Sequence, residues 1–156
     1  MVGPDIRLSS LLKEKYVELD LQAKDKKKVL SELVEFITAR GKIKDAKDIL
    51  STLIKRERLG STGIGNGVAI PHARSAKVTN FILAFARHSQ GIDFGALDGE
   101  KTYLFFVLLS PEANIGGHLK ILAEVSRLVK DKFIVDRLKA AKDKKDILKV
   151  ISTYER

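Results

Sequence analysis

Hydrophobic and polar positions alternate along residues 16–21, a pattern that predicts a half-buried strand. After Asp25, an expected N-cap, apolar residues recur at helical spacing as far as Gly41, which predicts a helix. Asp45 and Gly60 bound a second segment of the same kind. The first part of the chain therefore predicts one strand followed by two helices.

The middle of the chain contains three apolar segments that predict strands, at residues 68–70, 80–87 and 102–110. The last of these is apolar on both faces, which is typical of a central strand. The remaining chain predicts three helices, at about residues 118–130, 133–140 and 143–153. The element order β-α-α-β-β-β-α-α-α indicates an α/β fold in which helices cover a small sheet. We expect a single domain over residues 1–156.

Composition is that of a globular protein, with 44% hydrophobic and 31% charged residues. No apolar run approaches the ~20 residues that a membrane-spanning helix needs. The first residues lack a basic segment followed by an apolar one, so we expect no signal peptide. Cysteine is absent, which excludes thiolate metal sites. These features predict a cytoplasmic protein without direct membrane insertion and without a metal site.

The net charge of +9 raises the question of nucleic-acid binding. Residues 60–126 are neutral overall, whereas residues 1–59 carry +4 and residues 127–156 carry +5. The lysines at the two ends are interspersed with helical apolar positions, as is typical of solvated helix faces. No aromatic RNA-recognition motif or zinc-finger spacing accompanies them. We therefore expect no nucleic-acid partner.

Residues 60–67 contain four glycines and predict a tight loop that could turn several backbone N–H groups toward an anion. Two nucleotide-binding motifs fail here. Asn66 stands where a Walker loop requires lysine, and Val68 stands where a dinucleotide fingerprint requires glycine. The segment also follows a predicted helix, whereas both motifs require a preceding strand.

The chain has three histidines, and His72 directly follows Pro71 just past the glycine loop. A neutral imidazole is nucleophilic near pH 7, and its phosphorylated form is a transferable species. His118 begins the apolar stripe of its predicted helix, at a helix N-terminus that favours an anion. Arg56 lies beside a buried helical stripe, where its planar fork suits phosphate. These side chains and the loop indicate a phosphate cradle around His72, while His88 is interpreted as a surface residue.

Residues 56–74 closely resemble the signature of the enzyme IIA components of the bacterial phosphotransferase system, in the fructose/mannitol/nitrogen-regulatory branch. This stretch runs from Arg56-Glu57-Arg58-Leu59 through the glycine loop to Pro71-His72-Ala73-Arg74. Residues 91–99 and 118–124 are similar to two further segments of that family. The resemblance implies a three-layer α/β/α domain with a small mixed sheet.

The resemblance also implies a role for each matched residue. His72 corresponds to the histidine that accepts a phosphoryl group from phospho-HPr or a paralogous carrier. His118 corresponds to a second histidine that hydrogen-bonds this group, and Arg56 to a supporting arginine. Ser61 and Thr62 correspond to the loop beside the phosphoryl site and are expected to bind phosphate. We expect no cofactor.

Two roles within the family are open. A sugar-transport IIA donates to a fructose/mannitol-type IIB component, whereas a nitrogen-type IIA acts through regulatory protein targets. The glycine loop and residues 91–99 are more similar to the regulatory type, which we favour. A non-catalytic anion-binding module of the same fold is a third hypothesis, and it would not require His72.

Overall fold

The computed structural model describes residues 7–155 of the chain. The helices of this range are α1 (Leu8–Leu11), α2 (Lys26–Gly41), α3 (Ala46–Leu59), α4 (Ile115–Val129), α5 (Lys132–Ala140) and α6 (Lys144–Tyr154). The strands are β1 (Leu12–Glu18), β2 (Gly63–Gly65), β3 (Val68–Ala69), β4 (His72–Ser75), β5 (Ile82–Ile92) and β6 (Thr102–Pro111). None of the helices in this range is long and apolar enough to cross a bilayer.

The strands form one mixed sheet in the order β1-β5-β6-β3-β2, with β4 paired to β6. β1 runs parallel to β5, and β5 runs antiparallel to β6. β6 is parallel to both β3 and β4, whereas β2 is antiparallel to β3. The helices form two groups that contact the sheet, α2 with α3 and α1 with α4, α5 and α6. The predicted three-layer α/β/α fold and its order of main elements are confirmed.

The centre of the core lies where β5 and β6 pair. Phe85 and Phe106 are partners in this ladder, and their rings meet edge to face with centroids 5.2 Å apart. Phe105 points to the other face and packs in the same way against Phe94, at 5.3 Å. Because β6 buries apolar side chains on both faces, its predicted central position is confirmed.

Helix starts follow their capping residues. Asp25 accepts a hydrogen bond from a backbone N–H group of the first turn of α2, as the sequence predicts, and Asp45, the predicted start of the second helix, caps α3 in the same way. The start of α4 differs, because Asn114 caps it and accepts from the N–H of Gly117 at 3.0 Å. The helix therefore begins at Ile115, and the two glycines expected to precede it lie inside its first turn.

The short elements α1, β2 and β4 were not visible in the sequence pattern, and β1 begins earlier than predicted. The β2–β3 connection explains part of this difference. Asn66 (φ 58°) and Gly67 (φ 79°) both have positive φ, as the two central residues of a tight hairpin require. The glycine-rich segment thus forms a hairpin, with Gly67 in its turn and Gly63 and Gly65 in the strand β2.

Candidate active site

His72 is the first residue of β4 and directly follows the buried Pro71. Its ring is half-buried, and its Nδ1 atom lies 2.7 Å from the carbonyl oxygen of Ile70. Because a carbonyl oxygen can only accept a hydrogen bond, Nδ1 carries the ring proton and Nε2 keeps its lone pair. The backbone around Pro71 therefore sets the tautomer of His72 and makes Nε2 its nucleophilic atom.

The guanidinium of Arg56, in the last turn of α3, contacts this nucleophilic nitrogen. Its Nε–H group donates to Nε2 of His72 over 3.2 Å, and Nη1 donates to the carbonyl oxygen of Gly60 over 2.8 Å. None of the ion pairs found in residues 7–155 involves Arg56. Both acceptors are neutral, so the positive charge remains available for an anion in the pocket.

His118 lies in the first turn of α4, and 6% of its surface is exposed. The centroids of the His118 and His72 rings are 5.4 Å apart, and the ring planes are tilted by 55°. Nδ1 of His118 lies 2.7 Å from Oγ of Ser110, a buried residue of β6. Nε2 is therefore the His118 nitrogen left for the pocket beside His72.

Both rings are neutral near pH 7. Burial, together with the charge of His72 when that ring is protonated and the charge of Arg74, lowers the pKa of His118 to about 4. Burial also lowers the pKa of His72, although its hydrogen bond to Ile70 opposes this shift, and the charge of Arg56 lowers the pKa further. A neutral His72 has the free electron pair that nucleophilic attack requires.

The two histidines open into a pocket of about 410 Å³. Arg56 and Arg74 place two positive charges on its wall. An apolar side of the pocket comes from the start of α4, where Ile115 and Leu119 are exposed beside the more buried Leu122. Exposed apolar side chains around a polar centre are typical of a surface that docks another protein.

A family profile described as "Phosphoenolpyruvate-dependent sugar phosphotransferase system, EIIA 2" matches residues 10–154. The chain belongs to this family. EIIA chains are components of a phosphotransferase system, so the resemblance found in the sequence is confirmed at the level of the family.

This EIIA chain is similar to proteins named for nitrogen regulation and for fructose. It is 37% identical over 132 residues to the nitrogen regulatory protein of Bradyrhizobium diazoefficiens, covering 85% of this chain and 86% of that protein. It is 32% identical over 151 residues to the PTS system fructose-specific EIIABC component of Bacillus subtilis, covering 97% of this chain but 24% of that protein. The crystal structure of nitrogen regulatory protein IIA-Ntr from Neisseria meningitidis matches with a TM-score of 0.86 at 32% identity, over 92% of this chain and 98% of that one.

Ser61 and Thr62 of this EIIA chain do not line the pocket. The Ser61 hydroxyl donates to the carbonyl oxygen of Phe94 at 2.8 Å and accepts from the N–H of Gly63 at 3.0 Å. Thr62 is buried, and its N–H and hydroxyl both donate to the carboxylate of Glu57. Because these groups are occupied within the hairpin, the geometry speaks against the predicted contact between them and a phosphate on His72.

Sequence reasoning assigned no role to three further polar residues of the pocket wall, Thr52, Arg74 and Glu112. Arg74 is the second residue after His72 on β4, and alternate residues of a strand share a face. Thr52 lies one helical turn before Arg56 on α3 and therefore on the same side. The position of Arg74 on the same strand face as His72 could not be found from the sequence, because the hydrophobic pattern predicts no strand at His72.

His88 is not the surface residue that the sequence predicts, since 5% of it is exposed. Its Nε2 atom lies 2.7 Å from the carbonyl oxygen of Ala23, to which it donates a hydrogen bond. The prediction failed because β5 extends to Ile92, so that His88 lies within the strand and not at its end. This histidine of the EIIA chain holds the β1–α2 connection against the sheet.

Proposed function

We propose that this EIIA chain is a histidine phosphocarrier that accepts a phosphoryl group on Nε2 of His72. The observation that carries the proposal is the 2.7 Å hydrogen bond from Nδ1 of His72 to the carbonyl oxygen of Ile70, because it leaves Nε2 unprotonated. This nitrogen faces the guanidinium of Arg56 at 3.2 Å. A neutral nucleophile next to a positive charge suits an incoming phosphoryl group.

The donor is phospho-HPr or a paralogous carrier, and the reaction exchanges one N–P bond for another. The lone pair on Nε2 of His72 attacks phosphorus, while the bond from phosphorus to the donor's ring nitrogen breaks and returns its electron pair to that nitrogen. No proton has to move, since Nδ1 of His72 keeps its own. The positive charge that develops on the ring is stabilised by the Ile70 carbonyl. The fold therefore has to supply alignment and charge.

Arg56 and His118 stabilise the transferring group in this proposal. Arg56 exchanges its hydrogen bond to Nε2 of His72 for bonds to phosphoryl oxygens as the phosphorus approaches. His118 lines the same pocket with its ring centroid 5.4 Å from that of His72, and Arg74 adds a second positive charge there. A loose phosphoryl transition state spreads negative charge over its equatorial oxygens, which these groups neutralise.

For the role of this transfer we favour a nitrogen-type regulatory branch, in which protein targets in the cytoplasm read the state of His72. The match to a nitrogen regulatory protein over 86% of that protein supports this choice. The alternative is donation to a fructose/mannitol-type IIB component, which the match to the fructose-specific EIIABC component supports. Neighbouring genes for sugar permease components would favour transport, and genes for nitrogen regulation or carrier proteins would favour regulation.

Incubation with phosphoenolpyruvate, enzyme I and HPr tests the proposal. We expect the wild type to gain one acid-labile phosphoryl group, which NMR places on Nε2 of His72. His72→Gln keeps a polar side chain without a nucleophilic nitrogen and should gain none, whereas His118→Gln should be labelled more slowly. Equal labelling of the wild type and His72→Gln would refute the proposal. Absence of labelling with a competent donor would favour the non-catalytic anion-binding module.

A further inference from the structure

Ser110 lies near the end of β6, where it is the register partner of Arg74 on β4. Its relative exposure is 0%, and its hydroxyl oxygen is 2.7 Å from Nδ1 of His118. In the described part of the chain this hydroxyl makes no other side-chain hydrogen bond. A buried serine and a buried histidine thus form a hydrogen bond with each other, and the serine does not itself line the pocket.

The direction of this hydrogen bond follows from the number of protons that each group has to donate. A serine hydroxyl has one proton and can rotate it, whereas a neutral imidazole has one protonated and one unprotonated nitrogen. If Oγ of Ser110 donates to Nδ1 of His118, the hydroxyl proton has an acceptor. The reverse direction leaves that proton buried without one, which is costly. The favourable arrangement therefore has Nδ1 unprotonated and the ring proton on Nε2.

We propose that Ser110 is a positioning residue that holds His118 in the Nε2–H tautomer, so that Nε2–H donates to an oxygen of the phosphoryl group on His72. This inference rests on the proposed function, because it assigns a donor to the group that His72 carries. The opposite tautomer would turn a lone pair of Nε2 toward the negatively charged oxygens and weaken their binding.

The two neighbouring histidines are thereby held in opposite tautomers, His72 by a backbone carbonyl and His118 by a side-chain hydroxyl. The carbonyl of Ile70 accepts from Nδ1 of His72 and exposes a lone pair on Nε2. The hydroxyl of Ser110 donates to Nδ1 of His118 and leaves a proton on Nε2. One ring is prepared to attack phosphorus and the other to bind its oxygens. The low pKa of His118 is consistent with this division, because a doubly protonated ring would have no tautomer to select.

The tautomers can be measured directly by long-range ¹H–¹⁵N correlation spectra of unphosphorylated wild type labelled in its histidines, at pH 7. We expect the protonated nitrogen to be Nε2 in His118 and Nδ1 in His72. A His118 ring protonated at Nδ1 would overturn the inference. This measurement needs no donor, so its outcome is independent of whether His72 is ever phosphorylated.

The role in transfer is tested with Ser110→Ala, Ser110→Thr and the control Thr102→Val. Thr102 lies on the same strand with a buried hydroxyl for which no partner is found within residues 7–155, so its removal should leave transfer from phospho-HPr unchanged. Ser110→Ala should transfer about two- to tenfold more slowly, the worth of one hydrogen bond. Ser110→Thr keeps the hydroxyl and should recover the rate.

The possible outcomes separate the two proposals. A wild-type rate in folded Ser110→Ala would overturn the role of Ser110, and so would a Ser110→Thr variant that folds but is as slow as Ser110→Ala. Failure of the proposed function itself would instead leave wild-type His72 unlabelled while the tautomer spectra could still agree with the inference.

Discussion

Arg56 and Glu57 are consecutive residues near the end of α3, yet the fold uses their charges in opposite ways. Glu57 is 8% exposed, and its carboxylate accepts from the N–H and hydroxyl of Thr62 and pairs with Nζ of Lys26 at 3.2 Å. Arg56 is half-buried at the pocket and donates to two neutral acceptors, a ring nitrogen of His72 and a backbone carbonyl. One charge is surrounded by partners, and the other faces an open pocket.

This difference separates a group that holds the hairpin from a group that can exchange partners. The carbonyl of Thr62 accepts from the N–H of Ile70 at 3.0 Å, and the carbonyl of Ile70 accepts from Nδ1 of His72. Glu57 therefore anchors the segment whose carbonyl orients the ring of His72. Arg56 can move to a phosphoryl group because its own contacts are weaker than those it would gain. Rigid support behind a site and an available charge within it together make a preorganised electrostatic environment.

The largest effect should come from Glu57→Ala, which removes the anchor. It leaves the N–H and hydroxyl of Thr62 buried without their acceptor and Lys26 without its pair. Removing one partner of a buried ion pair costs about 3–5 kcal/mol, and the partial exposure of Lys26 places this case near the lower limit, at about 3 kcal/mol. Urea denaturation measures this as a fall in the free energy of unfolding.

Arg58→Ala is the matched control, since it removes an exposed charge from the same turn of α3. It should change the free energy of unfolding by no more than about 0.5 kcal/mol. If Glu57→Ala were as stable as this control, Glu57 would not anchor the hairpin. The contrast with Arg56 would then have no basis in stability.

The fold could be predicted from the sequence wherever the hydrophobic pattern is long. The caps at Asp25 and Asp45 and the apolar run of β6 gave correct elements, because local signals and burial agree there. β4 could not be predicted, since four residues beside a glycine-rich segment show no clear period and their pairing with β6 is a long-range contact. The start of α4 was misplaced, because the cap at Asn114 outweighs the low helix propensity of the two glycines that follow.

The residues around the site also divide into those that the sequence could predict and those that it could not. The sequence singled out His72, His118 and Arg56, and the structure brings these three side chains into one pocket. Proximity along the chain was misleading for Ser61 and Thr62, because their hydroxyls turn into the hairpin. Ser110 lies only eight residues before His118, yet a contact between a strand residue and the helix that follows leaves no periodic or motif signal, so it emerges only from the structure.

Arg56→Leu should have the next largest effect, and on transfer, not on stability. Loss of one donor to a developing negative charge costs about 100-fold in rate. The free energy of unfolding should change by less than about 1 kcal/mol, because the two bonds lost are to neutral acceptors at a half-buried site. Rapid-quench transfer from phospho-HPr and urea denaturation measure the two quantities on the same protein.

Two further variants sharpen this result. Arg56→Lys keeps the charge without the fork and should lie between the wild type and Arg56→Leu. Arg58→Leu removes an exposed charge two residues along the helix and should transfer at the wild-type rate. A sharp loss of stability in Arg56→Leu at an unchanged rate would make Arg56 a structural residue like its neighbour Glu57.

The smallest effect concerns the pH dependence of stability, to which the buried ring of His118 should contribute. Its pKa is about 4 in the folded chain and about 6.5 when unfolded, so below pH 6.5 the unfolded state binds more protons. The contribution of His118 to the free energy of unfolding is therefore fully present above pH 6.5. It falls as the pH drops toward 4, by about 2 kcal/mol between pH 7 and pH 5.

Urea denaturation of the wild type and His118→Gln at both pH values isolates this contribution, because the other titrating groups are common to both proteins. The wild type should lose about 2 kcal/mol more than the variant. Equal losses would show that His118 is protonated as easily in the folded pocket as in the unfolded chain.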